Sequence, residues 1–182
     1  MRTARLMVAD SEQCADMLYA VGLFVPDPFI WLRSRGRSCV VMSDLEFDRA
    51  RTQAPHCRFV SLSRHQQKLR REGIKRPGHA EVIPALLRER GIRSVVVPQD
   101  FPHGLAVMLQ RRRIRVKARP GSFFPHREFK SAAEVKKISA ALLMAEIGMA
   151  EAIQVLHAAK IGKGRRLLYH DVPLTAEKLR AV

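Results

Sequence analysis

The chain is short of acid, of aromatic rings and of cysteine. Its 182 residues hold 17 Asp and Glu against 33 Lys and Arg, a formal net charge of +16, with one Trp and two Tyr. The three cysteines, Cys14, Cys39 and Cys57, are odd in number and lack metal-ligand spacing. That argues against a disulfide framework or a zinc module and fits small buried hydrophobes in a reducing cytosol. No unbroken apolar run approaches the roughly 20 residues that span a bilayer. The apolar stretch 17–25 lies between Asp16 and Pro26-Asp27, not behind the basic flank of a signal peptide. These absences lead to the expectation of a soluble, cytoplasmic protein with no membrane partner.

The motifs of catalysis are also missing. No G-x-G-x-x-G follows a strand, no G-x-x-x-x-G-K-[ST] cradles phosphate, and no G-x-S-x-G presents a serine nucleophile. Lys160-Ile161-Gly162-Lys163-Gly164 reads as a helix stop followed by a turn. Histidines at 56, 65, 79, 103, 126, 157 and 170 include no H-E-x-x-H and no pair four residues apart, so each is expected to be loop or surface polarity. Cys39 sits in an apolar run with no cation beside it in sequence, which favours a core thiol over a nucleophile. No catalytic, cofactor-binding or metal-ligating residue is assigned.

What is present is charge and periodicity. Apolar residues make up 47% of the chain, enough for a core in a chain of this length. One basic cluster holds Arg64, Lys68, Arg70, Arg71, Lys75 and Arg76; another holds Arg111, Arg112, Arg113, Arg115, Lys117 and Arg119. Both could neutralise phosphates, but interleaved aromatics are few, so a solvated or subunit-facing surface is the preferred reading over an RNA- or DNA-binding module. Strands are expected at 4–9, 29–33, 38–42, 57–62, 94–97 and 113–119. Residues 34–37 make a hairpin turn with glycine. In the last strand Ile114, Val116 and Ala118 alternate with cations, one face apolar and one wet. Helices are expected from Ser11 to about 21, at 43–53 behind a Ser43/Glu46 capping box, at 64–71, at 80–90 with its first turns disturbed by Pro84, and at 102–110. The order predicts an α/β fold: a six-stranded mixed sheet with helices on both faces.

A longer helix follows, over 130–157. Ser131 and Glu134 have the spacing of a capping box, and Val135, Ile138, Leu142, Ala145, Met149, Ala152 and Leu156 fall on one face. Three segments in the same order resemble the creatinase/prolidase family of pita-bread Xaa-Pro aminopeptidases and dipeptidases. They are Phe29-Ile30-Trp31-Leu32 with residues 40–51, then Arg127-Glu128-Phe129-Lys130-Ser131 leading into the helix, and finally residues 173–179. The resemblance implies a ribonuclease H-like N-terminal domain over 1–126, and over 127–182 a linker helix with the truncated start of a catalytic domain. It implies a parent enzyme that cleaves the bond before proline with two divalent metals (Mn, Co or Zn). Those metals would be held by a C-terminal domain whose ligands are not in these 182 residues. The chain itself is therefore expected to be inactive alone, to cover an active site and to support a homodimer. If the face of 131–157 normally packs on that missing domain, it should be bare here.

Overall fold

The computed structural model describes residues 2–181, and they fall into two compact units that divide after Arg127. The first unit is built on β1 (Thr3–Ala9), β2 (Phe29–Ser34), β3 (Arg37–Met42), β4 (Cys57–Ser61), β5 (Ser94–Pro98) and β6 (Arg115–Arg119). Its helices are α1 (Ala15–Val21), α2 (Phe47–Gln53), α3 (Leu62–Arg71), α4 (His79–Glu89) and α5 (His103–Arg111). The strands form one sheet in the order β4-β3-β2-β1-β5-β6. β1, β2 and β3 pair antiparallel, whereas β4, β5 and β6 join in parallel, so the sheet is mixed as its hairpin required.

Period-two alternation sends each strand's side chains to two cores. One face carries Leu6, Ile30, Leu32, Val41, Val95 and Val97 under α3, α4 and α5. The other carries Met7, Trp31, Val40 and Met42 under α1, α2 and Phe123-Phe124. A sheet covered on both faces accounts for the apolar runs in β2, β3 and β5. The β2–β3 turn is two residues, Arg35 (φ 52°) and Gly36 (φ 74°). Two positive φ angles are the type I′ geometry whose twist matches antiparallel strands, and glycine takes one of them without steric cost.

Several local expectations need correction. Ser11 does not cap α1, whose N-cap is Cys14 without a side-chain bond. Ser11 is instead fully buried: its hydroxyl donates to the Leu23 carbonyl at 2.6 Å and accepts from the Val25 amide at 2.8 Å. It stitches the loop after α1 back on the chain, which no local spacing announces. Ser43 accepts from the Leu45 amide and opens a short 3₁₀ turn over Asp44–Glu46 before α2, while Glu46 turns to Arg49. Residue 62 begins α3 rather than ending β4, because the Ser61 hydroxyl accepts from the Arg64 amide and caps the helix there. α4 runs through Pro84, which is buried against the first core. Packing outweighs the one backbone bond that proline removes. On the edge strand β6, Ala118 is exposed although it alternates with the cations.

The second unit holds α6 (Ala132–Ala158), a small antiparallel sheet of β7 (Lys160–Ile161), β8 (Leu167–Tyr169) and β9 (Val172–Pro173), and α7 (Ala176–Arg180). The capping box of α6 is formed: the Ser131 hydroxyl accepts from the Glu134 amide at 3.3 Å, and the Glu134 carboxylate accepts from the Ser131 amide at 2.8 Å. α6 stops at Ala158, before the glycines, and the small sheet was not anticipated. Gly164 (φ 72°) and Arg165 (φ 58°) make one of its turns, His170 (φ 50°) and Asp171 (φ 60°) the other. Thr175 caps α7 by accepting from the Lys178 amide.

Candidate functional site

Two surfaces stand out, one in each unit. The first is α6. Among its 27 residues only Val155 is buried. Ile138 (54% exposed), Leu142 (58%) and Met149 (60%) lie bare on the expected face. Leu143, Met144 and Ile147, at positions that point away from that face, are equally bare. The sequence reading placed the apolar residues on one stripe; the helix is apolar nearly all round. Helices of that kind are found inside large proteins or membranes. α6 is the one described helix long and apolar enough to cross a bilayer, with a mean hydropathy of 1.5 over 18 residues. It escapes a search for unbroken apolar runs because Glu146 and Glu151 interrupt it.

The second surface is the hairpin end of the six-stranded sheet, where two clefts are lined by arginine. On one face a cleft of about 540 Å³ is lined by Arg2, Arg35, Arg37, Arg58 and Arg90 around Cys39. Arg90 donates to the Cys39 Sγ at 2.9 Å and Arg2 to the Arg90 carbonyl at 3.2 Å. A cation therefore does reach Cys39, from 51 residues away in sequence. Burial still dominates and holds the thiol above its ordinary value, with Arg90 opposing, so the thiol stays protonated as a core thiol should. On the other face a cleft of about 650 Å³ is lined by Arg5, Arg33 and Arg119 with Tyr19, Trp31 and Phe124. Arg5 and Arg33 are direct cross-strand partners. The Arg5 guanidinium lies 5.0 Å from the Phe123 ring centre and 5.4 Å from that of Phe124. Burial, then Arg119 and Arg33, hold its pKa below the ordinary value. The indole N–H of buried Trp31 has no hydrogen-bond partner among the described residues. No Asp or Glu lines either cleft.

These clefts are not the basic clusters visible in the sequence. Of the first of those, Lys68 is paired to Glu89 at 2.6 Å on the solvent face of α3, whose buried residue is Leu69. Of the second, only Arg119 reaches a cleft at the hairpin end. The arginines of the clefts come from points scattered between residues 2 and 119, and only the strand order brings them together.

The histidines do not converge. His65 bridges the Ser61 carbonyl at 3.2 Å and Glu89 at 3.7 Å, more structural than the surface polarity expected of it. His79 opens α4 half-buried, and burial lowers its pKa. His56 and His126 line the Trp31 cleft. Among the described residues no three of His, Cys, Asp or Glu are placed to hold a metal ion. The donors present therefore do not fit a two-metal centre, which needs carboxylates converging on ions a few ångströms apart. Arg127, the first residue of the quoted signature, pairs with Asp16 at 2.9 Å and ties the end of the first unit to α1.

No protein-family model matches the chain, and no curated protein sequence matches it. Solved structures do. The prolidase from Pyrococcus horikoshii superposes with a TM-score of 0.63 at 19% identity, over 87% of this chain and 40% of its own. The X-Pro aminopeptidase from Thermotoga maritima gives 0.67 at 16% identity, over 89% and 43%. The Xaa-Pro dipeptidase from Bacillus anthracis gives 0.62 at 15% identity, over 84% and 39%. The chain thus spans about 40% of the length of these three solved structures, and has the fold of their N-terminal domain.

Proposed function

We propose that this chain, with the fold of the N-terminal domain of prolidases and X-Pro aminopeptidases, serves as the non-catalytic part of a proline-specific metallopeptidase. In this reading it covers the mouth of an active site, supports a dimer, and contributes no metal ligand. The two divalent ions, Mn, Co or Zn, are held by a catalytic domain outside these 182 residues.

The observation that carries the reading is α6. An apolar surface that runs round a 27-residue helix is not stable in water without a cover. A protein cover suits it better than lipid. Glu146 and Glu151 fall in its second half, and a carboxylate at the bilayer centre costs about 2.5–3.5 kcal/mol even on the mildest scale. A catalytic domain packed on α6 buries the apolar residues and leaves an exit for the two acids.

The reading predicts that the purified chain, given Mn²⁺, Co²⁺ or Zn²⁺ in turn, does not hydrolyse an Xaa-Pro dipeptide above the rate of the metal alone. Metal-dependent turnover that survives further purification and tracks the protein through a gel-filtration column would overturn it.

A further inference from the structure

The hairpin end of the first unit is built against its own electrostatics. Arg5 and Arg33 face each other across β1 and β2, an arrangement that like charges disfavour. Arg119 joins them in a cleft that no carboxylate of the described residues lines, and five more guanidiniums share the cleft on the opposite face. The two clefts have Ser38 as a common lining residue. Among the described residues none of these eight arginines makes an ion pair; the pairs present use Arg49, His65, Lys68 and Arg127. Five strands, a turn and a helix end converge to put them there.

Guanidinium groups bind phosphate and carboxylate through paired N–H donors. The number of cations here distinguishes between these. Five in one cleft leave most of the charge unanswered by one carboxylate, whereas phosphate places up to two charges and three acceptor oxygens on each group. We propose that the arginine clefts at the hairpin end form a binding site for a ligand carrying several phosphates, either a small polyphosphate or the backbone of a single-stranded nucleic acid. Tyr19, 45% exposed and backed by the buried Phe124 ring, supplies ring surface beside the charge in the second cleft.

The test uses the full chain with two probes. Calorimetry measures tripolyphosphate, and anisotropy measures a labelled single-stranded RNA of about twelve nucleotides, each starting at about 50 mM salt and stepping upward. The variant R37Q/R58Q removes two exposed guanidiniums of the first cleft, and K136Q/K137Q removes the same charge from α6. Far-UV melts establish that both remain folded. R37Q/R58Q is expected to weaken binding by at least about tenfold and to lower the salt slope for RNA by about two. K136Q/K137Q should stay within about twofold. Tripolyphosphate binding that competes with RNA identifies a small polyphosphate as sufficient; RNA binding that tripolyphosphate does not displace identifies the strand. The site is disproved if neither probe binds at low salt, if R37Q/R58Q binds as the parent does, or if the two variants lose equally. Because the readout is binding and not hydrolysis, its outcome is separate from that of the peptidase assay.

Discussion

Cys57 shows how burial and charge compete at one atom. Its thiol is pushed up from an ordinary 9.0 to about 11, first by burial and then by the Cys39 thiol, with Arg33 opposing. The sign follows from proton counting. Between those two values the folded chain keeps a proton that the unfolded chain has released. Stability is therefore full below about pH 9 and declines as pH rises towards about 11. Urea midpoints taken across that window should fall for the parent and fall less for Cys57→Ala. Converted to unfolding free energy, the difference should be about 1–2 kcal/mol once the residue's partial solvent access is discounted. Parallel slopes for the two proteins would show that the thiol is not the group responsible. Cys39, buried on the opposite face of β3, reaches the same protonated state by another balance, since Arg90 reaches its sulfur and still does not offset burial.

At the scale of elements, α6 is where exposure has a consequence in solution. Leu142, Leu143, Ile147 and Met149 form bare apolar surface larger than a single side chain can justify. The chain is expected to self-associate and to bind a dye such as ANS, and L143K/I147K is expected to shift sedimentation towards monomer and to reduce dye fluorescence at least about twofold. A parent that sediments as a monomer at all concentrations, with no dye binding, would remove the case for a cover. The same helix marks how far sequence reasoning reaches. Its start was legible because a capping box is a local device: Ser131 and Glu134 lie three residues apart and satisfy each other's backbone. The hairpin was legible for the same reason, since Arg35-Gly36 decides its own turn. The other sides of α6 were not, because fitting one stripe ignores what lies off it. Ser11 was misread because its partners, at residues 23 and 25, are near in space and far along the chain. The arginine clefts were invisible for that reason in stronger form: their members are spread from residue 2 to residue 119 and only the strand order joins them.

At the scale of the whole molecule, the chain divides its labour unevenly. Among the described residues every buried apolar one except Val155 belongs to the first unit, and both cores of the mixed sheet lie within it. The second unit has two capped helices, a small three-stranded sheet and almost nothing buried. A helix gains little stability from propensity alone; packing of an apolar surface supplies most of it. Cooperative stability should therefore reside in the first unit. The prediction is that residues 1–127 expressed alone fold, with an unfolding free energy extrapolated from urea titration within about 1 kcal/mol of that of the full chain. Trypsin should also trim the full chain first beyond Arg127, at Lys130, Lys136 or Lys137, leaving a resistant product that holds the six strands. Failure of 1–127 to fold, or early cuts inside β1 to β6, would mean that the second unit is part of the first unit's core stability. Success would have a functional meaning as well. A sheet that is stable alone, joined to a helix that is not covered alone, is the division that the proposed reading requires, in which α6 finds its packing partner in a separate domain.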